Sequence, residues 1–120
     1  MDTIKIIMAH VMWKQRLAAH INGTSTEKLD PAVIQQDDQC ALGKWIYGEG
    51  KAYTDLSMYE KVRQDHAHFH EHAAAIVKLV DERNHDIANQ LLHGDYSKIS
   101  ERLKHEIVTL NSEVQANSRS

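Results

Sequence analysis

Apolar residues recur along the first twenty positions at steps of three and four. Ile6, His10, Trp13, Leu17 and Ile21 lie on one face of a helix predicted from Asp2 to Ile21, with Asn22-Gly23 as its stop. A second stripe, Tyr59, Val62, His66, Phe69/His70, Ala73, Ile76/Val77 and Val80, predicts a long helix from Leu56 to Arg83, broken at Asn84. A third stripe, Tyr96, Ile99, Leu103, Ile107, Leu110 and Val114, predicts another from Tyr96, with a polar tail that frays after Ala116. Between the first two, Asp30-Pro31 reads as a helix start, aspartate capping and proline in the first turn, with a short helix to Gln36. Asp37 or Asp38 is expected to cap a second short helix carrying Cys40 and Trp45, which Gly48-Glu49-Gly50 ends. Ile87, Leu91 and Leu92 suggest one more, stopped at Gly94. No segment alternates as a strand does. The expectation is all-α: a helix bundle of three long helices plus short inserted ones, four-helix-bundle-like, in one domain over residues 1–120, ordered to about 115.

Composition narrows the function. The net charge is -3, so no basic surface advertises nucleic acid. The longest apolar stretch, Ile4 to Trp13, is interrupted by Lys5 and His10 and is too short to cross a membrane. No signal-peptide pattern is present, and the single cysteine, Cys40, excludes an internal disulfide. Both features fit a cytoplasmic protein.

Histidine is the anomaly, with nine in 120 residues. His-x-x-x-His occurs twice, at 66/70 and 68/72, and either spacing places two imidazoles one turn apart on a helix face. The apolar register separates them. His66 and His70 share the stripe of Val62, Phe69 and Ala73, whereas His68 and His72 lie with Lys61, Gln64, Asp65 and Glu71 on a solvated side and offer at best a weak surface site. His10 is the third histidine on a core stripe. A single core histidine is most often just hydrogen-bonded. Three of them together with the only cysteine form a donor set that suits zinc, with nitrogen at roughly 2.0–2.1 Å and thiolate at roughly 2.3 Å in a tetrahedron. The predicted ligands of Zn2+ are therefore His10, Cys40, His66 and His70. Four protein ligands close the site, which argues for a sensing or structural role rather than an enzyme. Cys40 near a helix start should gain thiolate character from backbone N–H groups, and it is the one redox-active ligand. Trp13, Trp45, Tyr59 and Phe69 read as packing. His20, His85, His93 and His105 read as solvated, as do Glu101, Arg102, Lys104 and Glu106. A di-iron centre would need a pair of inward-facing Glu-x-x-His motifs, whereas the one such spacing, Glu82 with His85, straddles the predicted helix break at Asn84, and a phosphotransfer histidine would need solvent.

The elements His10-Val-Met-Trp13, Cys40-Ala-Leu-Gly43-Lys-Trp45 and His66-Ala-His-Phe-His70, in that order, resemble the chemoreceptor zinc-binding (CZB) domain family. The resemblance covers nearly the whole chain. It implies a His3Cys zinc site in a regulatory module attached to a chemoreceptor or diguanylate cyclase signalling domain, responsive to zinc or to an oxidant such as hypochlorous acid. It also implies a homodimer, and a second apolar stripe on the first helix (Ile4, Met8, Val11) supplies a surface for one. The alternative is a zinc-occupancy sensor in which Cys40 is only a ligand.

Overall fold

A computed structural model describes residues 2–118. Six helices follow in chain order: α1 (Thr3–Asn22), α2 (Pro31–Ile34), α3 (Ala41–Tyr47), α4 (Ser57–Asp81), α5 (His85–Leu91) and α6 (Ser97–Ser118), with a 3-10 turn at Glu49–Tyr53. Among the described residues there is no strand. The expected helix bundle is what the chain forms.

Local chemistry sets the ends of the first elements. Asp2 accepts the Lys5 N–H to start α1, and Gly23, left-handed at φ 75°, sends its N–H back to Ala19 and His20. Asp30 caps α2 through the Ala32 N–H, with Pro31 in its first turn. Helix α4 begins after Leu56, which has no side chain able to cap. Glu113 of α6 does this instead, accepting hydrogen bonds from Ser57 Oγ and the Met58 N–H. The helix ends at Asp81, two residues before the expected Arg83, because Arg83 takes a left-handed φ of 65°. Gly94 does not stop a helix cleanly. It is a kink inside Leu92–Tyr96, across which α5 runs almost directly into α6. The tail expected to fray from Ala116 stays helical to Ser118.

Helix α4 is the axis of the bundle, packed by α1, α2, α5 and α6. It supplies ten buried residues, from Tyr59 to Val77. The pairings fix directions. His10 meets His66 and Phe69 while His20 meets Asp81, so α1 and α4 run parallel. Ser57 meets Glu113 while Asp65 meets Arg102, so α6 runs antiparallel to α4. A parallel pair needs a return crossing between its members. The segment holding α2, α3 and the 3-10 turn makes that crossing and carries Cys40 past the middle of α4.

Two residues expected on a solvated side are buried. Asp65 and Glu106 face each other between α4 and α6, with Arg102 Nε 3.0 Å from Asp65 and 3.8 Å from Glu106. Burial opposes a charge on Asp65, but hydrogen bonds from Glu106 and Arg102 outweigh it and keep that carboxyl low. Glu106 is pushed the other way by burial and by Asp65. The stable arrangement is one ionised carboxylate accepting from one protonated neighbour. No helix is long and apolar enough to cross a membrane among the described residues.

Candidate metal centre

Each donor arrives from an element whose packing leaves little choice of direction. His10 sits one turn after Ile6 on the buried face of α1, and its Nδ1–H donates to the Ile6 carbonyl at 2.7 Å. His70 donates from Nδ1 to the Ile34 carbonyl at 2.9 Å. That carbonyl is free to accept because α2 ends at Ile34 and has no further helical turn. In both imidazoles the Nδ1 bond fixes the tautomer and turns the Nε2 lone pair inward. His66 is fully buried on α4, and its Nδ1 has no partner.

Cys40 is the N-cap of α3, with extended φ and ψ, and its Sγ accepts the Gly43 N–H at 3.4 Å. The cap is therefore the cysteine itself, not Asp37 or Asp38 as expected. Asp37 instead accepts a hydrogen bond from the Tyr47 hydroxyl. Gly43 is required sterically, since a Cβ there would lie 1.8 Å from the Asp37 carbonyl oxygen. The backbone of the Asp37 loop thus folds directly onto the first turn of α3 and aims the thiol at α4.

The inward atoms converge. Cys40 Sγ lies 3.1 Å from His66 Nε2 and 3.6 Å from His70 Nε2, and the two Nε2 atoms are 3.0 Å apart. One ligand atom from each of His10, Cys40, His66 and His70 lies within 4.8 Å of the others. A zinc tetrahedron has edges of roughly 3.3 Å between nitrogens and roughly 3.6 Å between nitrogen and sulfur. The separations among Cys40, His66 and His70 fall close to those edges, and His10 lies within 4.8 Å of them, so the donor set fits the metal in kind and three of its members also in spacing.

Electrostatics agree with the geometry. Burial, with its neighbours' charge adding to it, lowers His10 to about 4 and His66 to about 2, and burial also lowers His70. All three are neutral at physiological pH, as metal ligation requires. The Cys40 thiol is raised above its ordinary value because burial outweighs the amides of Gly43 and Leu42. The expected gain from the backbone amides is therefore present but smaller than the cost of burial, and a cation would be needed to hold the thiolate.

The remaining histidines stay outside. His68 is exposed, and His72 donates from Nδ1 to the His68 carbonyl. Sequence reasoning missed the carbonyls of Ile6 and Ile34 and the role of Gly43. The Leu-Gly-Lys-Trp run after Cys40 was the only signal for the last of these.

A family model described as the chemoreceptor zinc-binding domain matches residues 10–77, more than half of the chain. No curated protein and no solved structure gives a match.

Proposed function

The chain belongs to the chemoreceptor zinc-binding domain family, and on that premise we propose that it is a non-catalytic sensor module that holds one zinc ion and reports oxidation of Cys40 to an attached chemoreceptor or diguanylate cyclase domain. The observation that carries this reading is the convergence of three neutral imidazoles and one thiol within 4.8 Å, from α1, the α3 cap and α4. Zinc, when bound, supplies the positive charge that keeps Cys40 as thiolate. Its holders would be Nε2 of His10, His66 and His70 and Sγ of Cys40, leaving no position for a catalytic water.

Cys40 is the one donor that oxidants of the hypochlorous acid type attack readily. The thiolate gives up an electron pair, chlorine leaves as chloride, and sulfur ends bonded to the oxygen as sulfenic acid. A sulfenic oxygen weakens the sulfur as a ligand, which loosens the tie between the α3 cap and α4. That local loss biases the attached output domain. A second copy of the chain, seated on the exposed stripe Ile4, Met8 and Val11, completes the proposed assembly.

Elemental analysis should find one zinc per chain, lost in Cys40→Ala. Graded hypochlorous acid should then oxidise Cys40 of the loaded protein first, with zinc release read by a chelating dye. If the exposed Met8 and Met12 oxidise while Cys40 stays intact, the thiol is only a ligand and zinc occupancy is the signal.

A further inference from the structure

A cavity of about 410 Å3 opens beside the centre, lined by both Cys40 and His70. Its volume lies within the range of small-molecule sites, roughly 300–1,000 Å3. Trp13, Leu29 and Val33 give it an apolar wall. Three charged residues border it, and two are already engaged. Arg16 is held by Glu27 through Nε and Nη2 and stacks 3.8 Å over the Trp13 ring, and the Asp30 carboxylate caps α2. Lys28 forms no ion pair among the described residues, and although the Asp30 carboxylate keeps its charge, the Lys28 ammonium is the one border cation left to meet an anionic group of a ligand.

The chain contains one cysteine. A sulfenic acid at Cys40 has no neighbouring thiol with which to condense, so any return to the thiol needs a thiol from outside. We propose that this cavity binds a small anionic thiol, held by Lys28 against the Trp13–Val33 wall, which reduces oxidised Cys40. The proposal rests on the oxidation reading given above. The incoming thiolate attacks Cys40 sulfur; a sulfur–sulfur bond forms as the sulfur–oxygen bond breaks, and the departing hydroxide takes a proton to become water. A second thiolate attacks the small-molecule sulfur of that mixed disulfide. Cys40 leaves as thiolate, and the two small thiols depart as their disulfide.

Glutathione is the reactive probe, S-methylglutathione its unreactive analogue and cysteamine the cationic control. S-methylglutathione should shift the amide resonances of Leu29 and Val33 in the zinc-loaded chain, and Lys28→Glu or a cavity-filling Val33→Trp should abolish the shifts. In the oxidised chain, dimedone labelling of Cys40 in a parallel sample establishes the sulfenic acid. Intact mass should then show the glutathione adduct forming roughly three- to tenfold more slowly in Lys28→Glu, with cysteamine unaffected or faster. Circular dichroism confirms that both variants fold, and Lys28→Gln should fall between wild type and Lys28→Glu. Absent shifts, or glutathione rates indifferent to Lys28, overturn the proposal. Shifts present with no dimedone adduct overturn the oxidation reading instead, and with it the cavity's part in repair.

Discussion

His10 and His66 titrate far below free imidazole because the core that surrounds them will not hold a charge. Each is therefore already in the state that a metal takes, and ligation displaces no proton from it. His66 is also the donor with the least support, since its Nδ1 has no partner while His10 and His70 are tied to carbonyls. Zinc ligation would offset part of the cost of burying it. Replacing His66 by alanine should weaken zinc binding by at least about 100-fold, measured against a competing chelator, while His68→Ala leaves it unchanged. Zinc retained in His66→Ala and lost in His68→Ala would reverse this assignment. The register behind it was legible from the sequence, because a period of 3.6 separates two histidine pairs that spacing alone leaves equivalent. The hydrogen bonds that orient the rings were not. The Ile34 carbonyl lies 36 residues from His70 and belongs to a helix whose short length periodicity does not reveal.

Between elements, the contact of α4 with α6 depends on a polar pair as well as on apolar stripes. Burial and Asp65 push Glu106 up to about 8 from an ordinary 4.5. An acid whose folded value is raised stabilises the fold below its unfolded value and loses that contribution as pH climbs through the folded one. The loss therefore runs from about pH 4.5 to 8. Glu106→Gln keeps a donor toward Asp65 without the proton. It should match wild type near pH 4.5 and exceed it on the order of 2 kcal/mol at about pH 8.5, read as a difference in Tm. Equal pH profiles for the two proteins would show that Glu106 is not held protonated. Sequence pattern hid this pair for a physical reason. Hydropathy marks the apolar stripe, but a residue on its flank is sealed or solvated according to how closely the next helix approaches. The same limit hid Glu113, which caps α4 from 55 residues away in the chain.

Over the whole molecule, the unusual feature is the parallel course of α1 and α4 inside a body of 53 × 22 × 20 Å. The crossover that this arrangement requires lies against the Cys40 side and leaves the opposite face of α1 uncovered. Ile4 is 75% exposed, Met8 60% and Val11 41%, so the short helices do not shield that stripe. An apolar run of this kind on a folded surface marks a partner site. For the proposed pairing of two copies, Met8→Glu with Val11→Lys should give a folded, zinc-binding monomer by light scattering. A wild-type chain that remains monomeric at high concentration would remove the pairing. That this stripe exists was readable from the sequence; that none of the described residues covers it depended on where the crossover runs.

Cys40 and His66 lie 26 residues apart in the chain. A metal gripped by both would tie the two ends of that stretch together in the folded chain. Because unfolding scatters the ligands, it would favour the fold as any ligand of the native state does. Such a tie stands in for a disulfide, in a chain with no second cysteine to make one. Oxidising one sulfur atom would cut the staple, so a two-electron event at Cys40 would reach the cooperative stability of the whole bundle.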